Sequence, residues 1–215
     1  MERKTDKLER VFTYLFLLLY GVGTAGHLID FFKNIMLTLT PYVLFGTSAI
    51  LIYLLLKDFA KANFIWLTVI YSVTLLIEIA GVKTGYIFGS YYYGDVLGVK
   101  LFEVPLVIGL NWVMVLAGVI VLINNIKTNV HLKSIIVGLL AVVFDLVLEP
   151  AAINLGYWNW SGGEIPAQNY AAWFLIAVFS SYFYSFIKAN INIKLFSYYY
   201  FIQLFFFLLL NLFYL

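Results

Sequence analysis

The segment SIIVGLLAVVFDLVLEPAAINLGYWNW, residues 134–160, sets the class of this chain. From Ile135 to Phe144 every residue is aliphatic, aromatic or glycine. With its flanks it makes a span at about 133–151, enough to cross ~30 Å at ~1.5 Å per residue. Yet the span carries Asp145 and Glu149, which a helix places one turn apart on one face. Pro150, Tyr157, Trp158 and Trp160 follow. The plain structural reading is a helix that Pro150 stops, with both acids meeting water at headgroup level. The chemical reading is a pair of carboxyls turned toward a protein interior, because an isolated charge near hydrocarbon is expensive.

The rest of the chain has the same character. Of its 215 residues 64% are hydrophobic and only 11% charged, more apolar surface than a soluble domain of this size could bury. Spans in lipid must satisfy their own backbone, which makes them helices here. Seven are read, at about 11–32, 40–56, 63–80, 104–124, 133–151, 170–188 and 195–214, in a single transmembrane helical domain over 1–215. The second span is short and has an alternative start before Pro41. The first has no cleavage pattern and is read as a mature helix, preceded by the charged anchor ERKTDKLER. Cysteine is absent, which excludes disulfides and thiolate chemistry. The net charge of +2 is scattered among loops and forms no nucleic-acid stripe.

Basic residues orient the bundle. With the N-terminus cytoplasmic, that side holds Arg3, Lys4, Lys7, Arg10, Lys57, Lys61, Lys127, Lys133, Lys188 and Lys194, ten of the thirteen. Only Lys33, Lys83 and Lys100 fall on the other side. The expected fold is therefore an all-α polytopic membrane protein with its N-terminus inside. Spans one, three and five then run outward. Their polar residues His27 and Asp30, Glu78, and Asp145 and Glu149 gather in the outer halves. The two longest connections, 81–103 and 152–169, lie at the same end and carry Asp95, Glu103 and Glu164.

A weak parallel repeat runs through this region. Glu78 is followed by Gly85-Tyr86 at the spacing with which Glu149 is followed by Gly156-Tyr157. Pro105 then precedes Asn111-Trp112, and Pro166 precedes Asn169-Tyr170, at a different spacing. Within 81–100, Gly81, Gly85 and Gly89 would make a small face if the segment were helical. Tyr86, Tyr91, Tyr92 and Tyr93, with Tyr157, Trp158, Trp160 and Tyr170, form either an interfacial belt or the wall of an aromatic site. Several carboxyls in one low-dielectric pocket compete for charge, so one can stay protonated near neutral pH and act as a proton donor. The chain has only two histidines, His27 and His131, and no HExxH or Glu-x-x-His pair, so no metal site is assigned. A histidine such as His27 is more often a satisfied core residue than a base.

Three stretches carry a family resemblance: EIAGVKTGYIFGSYYYGDVLGVKLFEVPLVIGLNWVMV at 78–115, DLVLEPAAINLGYWNW at 145–160 and IPAQNYAAWF at 165–174. Over about residues 20–190 the chain resembles the carotenoid biosynthesis membrane proteins that include CruF-type carotenoid 1',2'-hydratases and the bisanhydrobacterioruberin hydratase of haloarchaea. The resemblance implies addition of water to the terminal double bond of an acyclic carotenoid, in the inner membrane, without a dissociable cofactor. The implied partners are a long apolar polyene from the bilayer, membrane lipids and other carotenoid enzymes. Residue chemistry then suggests roles. Asp145 or Glu149 donates the proton, while Glu78, Asn111, Tyr86 and Asn169 hold water or receive its proton. Tyr91, Tyr92, Tyr93, Tyr157, Trp158 and Trp160 line the cation site, and His27, Asp95 and Tyr170 complete the substrate-binding set.

The same residues bear on other functions. A retinal-type photoreceptor needs a lysine in its last helix, and residues 195–215 have none. A polyprenyl transferase would need aspartate-rich pairs for magnesium diphosphate, which are missing. End-group cyclisation also begins with protonation and stays open. So do a proton-coupled transporter and a non-catalytic assembly protein, which intramembrane acids would fit as well.

Overall fold

The computed structural model describes residues 4–57 and 60–214. Seven helices follow one another: α1 (Lys4–Leu28), α2 (Asp30–Lys57), α3 (Lys61–Thr84), α4 (Leu106–Ile123), α5 (Val130–Asn154), α6 (Ala167–Phe186) and α7 (Leu195–Tyr214). Four short strands, β1 (Tyr91–Tyr93), β2 (Lys100–Leu101), β3 (Val104–Pro105) and β4 (Trp158–Trp160), lie in the connections. All the helices except α6 are long and apolar enough to cross a membrane by length and composition. The chain is a multi-pass membrane protein. Arg3, at the start of the basic anchor, lies outside the described residues.

Side-chain contacts gather the helix ends. Glu9 Oε2 of α1 accepts from the backbone N–H of Leu195, the first residue of α7. Asn63, near the start of α3, exchanges hydrogen bonds with the backbone of Asn190. Asn124, just after α4, donates to the carbonyl of Ile191, and its own carbonyl accepts from Lys133 of α5. Helices α1, α3, α5 and α7 thus begin at one end of the bundle, where α4 finishes. Helix α4 is its buried axis, with every residue from Trp112 to Ile120 buried. At Gly118 a Cβ would lie 2.7 Å from the carbonyl oxygen of Phe196, so glycine lets α7 close against α4.

The first hairpin differs from the sequence expectation. A loop over 33–39 was expected between two spans, but the break is the single residue Ile29. Helix α2 begins at Asp30, which therefore belongs to α2 rather than to the end of α1. Its 28 residues reach ~42 Å at ~1.5 Å per residue, longer than the ~30 Å of a hydrocarbon core. Thr38 and Thr40 return their hydroxyls to the carbonyls of Asn34 and Met36 in the turns before Pro41. Pro41 lies inside the helix, as Pro150 lies inside α5.

The glycine-rich connection is not a helix face. Helix α3 ends at Thr84, and Gly85 caps it in the left-handed conformation at φ 68°, donating to the carbonyl of Gly81. The chain then turns into β1, which pairs antiparallel with β4: Tyr91 opposite Trp160, Tyr92 opposite Asn159 and Tyr93 opposite Trp158. The backbone N–H groups of Gly94 and Ser161 extend the pairing to Tyr157 and Ser90.

Strands β2 and β3 form a second hairpin, closed by Phe102 and Glu103 at φ 47° and 71°. Two left-handed residues define a turn that favours Asn-Gly. The double substitution F102N/E103G is expected to stabilise the folded chain by about 1 kcal/mol, since left-handed conformations cost bulky residues about 1 kcal/mol each and the added freedom of glycine in the unfolded chain offsets about half of the sum. A thermal melt in detergent reads the gain. An unchanged or lower midpoint would mean that the contact of Lys83 with the Phe102 ring, 4.6 Å from its centroid, outweighs the strain.

Candidate active site

The short ribbon β1/β4 closes over a cavity of about 40 Å³ at one end of the bundle. Helix α3 supplies Glu78, and α5 supplies Asp145 and Glu149 from one face. Asn111 and Trp112 come from α4, Asn169 and Trp173 from α6. Tyr91 and Tyr93 of β1 and Trp158 and Trp160 of β4 complete the wall. Pro150 does not stop α5, which runs on to Asn154, and the acids do not meet bulk water. Asp145 is 0%, Glu149 2% and Glu78 5% exposed.

Buried carboxyls require partners, and nearly every oxygen has one. Glu78 Oε2 accepts from the hydroxyls of Tyr91 at 2.5 Å and Tyr93 at 2.8 Å, and Oε1 accepts from the Trp112 indole at 2.7 Å. Glu149 Oε2 accepts from the indoles of Trp158 at 3.0 Å and Trp160 at 2.9 Å. The Asn169 amide donates to Asp145 Oδ2 at 2.6 Å and to Glu149 Oε1 at 3.3 Å. One oxygen is left over: Asp145 Oδ1 is buried without a hydrogen-bond partner. Burial, and then the charge of Glu78, pushes the Tyr91 and Tyr93 phenols above their ordinary range, so both remain donors.

The two Glu-bearing halves share a plan. In each, a left-handed glycine follows the Glu by seven residues, Gly85 at φ 68° and Gly156 at φ 70°. A strand follows whose first and third residues bond that same Glu, and a proline then starts the next helix. Seven residues past each proline stand Trp112 and Trp173, stacked with centroids 3.7 Å apart and planes at 26°. Trp112 therefore corresponds to Trp173, rather than Asn111-Trp112 to Asn169-Tyr170, and the unequal spacing disappears. On this register Thr74 occupies the position of Asp145, and Ile108 that of Asn169. The acid with a partnerless oxygen exists in one half only.

The remaining residues singled out in the sequence lie elsewhere. Tyr86 is 89% and Tyr92 57% exposed, and neither lines the cavity. Asp95 is exposed and pairs with Lys100 at 2.8 Å, whose hydrogen bond and charge hold its carboxyl below the usual range. Tyr170 is half-buried on α6 and outside the lining. His27 and Tyr157 border a separate apolar groove of about 290 Å³ among α1, α2 and α7, with the His27 Nδ1 bonded to the carbonyl of Gly23. Phe88, Ile108, Trp112, Leu148 and Trp173 line the cavity and were not singled out as site residues. The equal Pro-to-Trp spacing was the available signal for the two tryptophans.

Comparison with known proteins adds the family. A family model described as carotenoid biosynthesis protein matches residues 39–214, most of the chain. The chain belongs to this carotenoid biosynthesis family. The match takes in every residue of the cavity and extends through α7. Among curated family relatives is a protein named bisanhydrobacterioruberin hydratase from Haloarcula japonica, 32% identical over 158 residues. The alignment covers 65% of this chain and 52% of that protein, so the chain spans about half the length of its curated relative. No solved structure matches this carotenoid biosynthesis protein.

Proposed function

We propose that this protein hydrates the terminal 1',2' double bond of an acyclic carotenoid, with Asp145 as proton donor. The observation that carries the reading is the one carboxyl oxygen of the cluster without a partner, Asp145 Oδ1, on a residue that lines the cavity and among acids whose other oxygens are all engaged. Glu78 and Glu149 receive only N–H and O–H donors, as carboxylates do. Asp145 Oδ1 is then the place for a transferable proton. That proton forms a C–H bond at the less substituted alkene carbon and leaves a tertiary cation. The neighbouring carboxylates and the aromatic wall stabilise the positive charge. Water forms the new C–O bond and releases its proton to the carboxyl cluster, so the site returns to its starting protonation.

The size and polarity of the cavity favour water capture over cyclisation. About 40 Å³ lined by three acids and two amides has room for a few waters with enough polar partners. The relative's name supports the same reaction class.

In the same reading all seven helices cross the inner membrane with the N-terminus inside. The common end shared by the starts of α1, α3, α5 and α7 supports an odd number of crossings. The polyene reaches the site from the bilayer, with other carotenoid enzymes supplying it.

Expression in a host that accumulates lycopene or γ-carotene, followed by mass and retention analysis, tests the proposal. The expected product is heavier by one water. A product of unchanged mass and altered absorption would replace hydration by cyclisation. No product from folded protein on several acyclic substrates would remove the enzyme reading in favour of transport or assembly.

A further inference from the structure

Behind the acid cavity a second polar cluster joins four helices: Tyr20 of α1, Thr47 of α2, Asn111 of α4, and Tyr199 and Gln203 of α7. Tyr20, Thr47, Tyr199 and Gln203 are each at least nine-tenths buried. The carotenoid chemistry derived above does not use them, and a polar cluster at this depth needs a reason.

Hydrogen counting supplies one. Thr47 Oγ1 gives its proton to the carbonyl of Val43 at 2.8 Å. Tyr199, 2.8 Å from Thr47, then donates to it, and Tyr20, 2.8 Å from Tyr199, donates in turn. Each tyrosine oxygen is left as an acceptor toward Gln203 Nε2, at 2.9 Å for Tyr199 and 3.1 Å for Tyr20. Asn111 Oδ1 is a third acceptor at 3.1 Å. Tyr199 already accepts from Tyr20, so the two hydrogens of the Gln203 amide are free to serve Tyr20 and Asn111. Of the three residues only Asn111 borders the acid cavity. The Asn111 NH₂ makes no hydrogen bond to the described residues and is left to hold a water in that cavity. If the nitrogen and oxygen ends of both amides are exchanged, Asn111 donates to Gln203 and its own oxygen becomes the atom left for water.

We infer that Asn111 holds the attacking water and that Gln203 is a positioning residue, fixing the Asn111 amide through its anchorage to Tyr20 and Tyr199. The inference rests on the hydratase reading. It brings α7, which lends no residue to the cavity itself, into the control of what captures the cation. A cation formed beside a held water becomes the alcohol. One formed without it loses a proton from a neighbouring carbon and returns to an alkene.

That partition is measurable. Membranes carrying the full chain are supplied with an acyclic carotenoid in D₂O, and both the water adduct and deuterium in recovered alkene are quantified. Deuterium in the alkene records protonation followed by proton loss, and the adduct records capture. Gln203→Leu is expected to lower the ratio of adduct to deuterated alkene at least about tenfold, the size of one lost hydrogen-bond contact of ~1.4 kcal/mol. Asn111→Ala, which leaves the Gln203 anchorage in place, is expected to do the same and decides the matter if the first variant does not fold. A parallel fall of both products in these variants, with the ratio unchanged, would reduce the cluster to interhelical packing and overturn the inference. Absence of both products from the unaltered chain would instead overturn the hydratase reading, and the inference with it.

Discussion

Asp145→Asn is expected to lower hydration by about 10³-fold, the central size of a lost general acid, while leaving the protein folded. The substitution is nearly isosteric. The asparagine oxygen can accept the Asn169 hydrogen bond now made to Asp145 Oδ2, and the new NH₂ takes the place of the partnerless Oδ1. Only the acidic proton is removed. Product formed per folded protein, with the melting temperature measured alongside, checks the result. Tyr86→Phe serves as a comparison: Tyr86 is 89% exposed, away from the cavity, and its loss is expected to change turnover by less than about twofold, as surface positions usually do. Activity in Asp145→Asn above a tenth of the unaltered level would transfer the donor role to Glu149 or Glu78.

The second large effect is a difference between two substitutions that look alike. Glu78→Gln places an NH₂ where a carboxylate oxygen stood, and it can turn that group toward Tyr91 and Tyr93. Phenol hydroxyls can accept as well as donate, so both can rotate, and the remaining oxygen still serves the Trp112 indole. Glu149→Gln has no such way out. Its Oε2 meets the indoles of Trp158 and Trp160, which only donate, so the NH₂ must face Asn169 instead. Asn169 must then turn its oxygen to the new amide and its NH₂ away from Asp145 Oδ2, which draws the Asp145 proton off Oδ1. Glu149→Gln is therefore expected to lose about 2 kcal/mol of stability, the cost of a broken buried network, and to fall about 10²-fold in turnover. Glu78→Gln is expected to melt within a few degrees of the unaltered protein. Equal melting temperatures for the two would contradict the hydrogen-bond directions assigned here.

Much of this site could be read from the chain. Asp145 and Glu149 are one helical turn apart, and that local spacing was enough to pair them. The aromatic triplets YYY at 91–93 and WNW at 158–160 were legible as either an interfacial belt or the wall of a site. Which of their side chains turn inward was not legible, because the alternation along a strand has no fixed phase until its partner is known. Pairing β1 with β4 turns Tyr91, Tyr93, Trp158 and Trp160 toward the acids and leaves Tyr92 outside. Tyr86 was attractive for its place in the repeat, but the left-handed Gly85 redirects the chain and leaves it at the surface.

The sequence by itself determined the solvent, the helical class, and the clustering of acids in a carotenoid biosynthesis protein, because hydropathy, helical period and short motifs are local properties of the chain. The tertiary structure alone decided that Ile29 is the only break between the first two helices, that Trp112 stacks on Trp173, and that Gln203 of α7 reaches Asn111. It also decided which carboxyl oxygen has no partner. Such facts depend on side chains separated by 13 to 92 positions, as in the bonds of Glu78 to Tyr91 and of Gln203 to Asn111. A hydrogen bond is directional and short, so its presence follows from where helices end and how they cross, which no local pattern encodes.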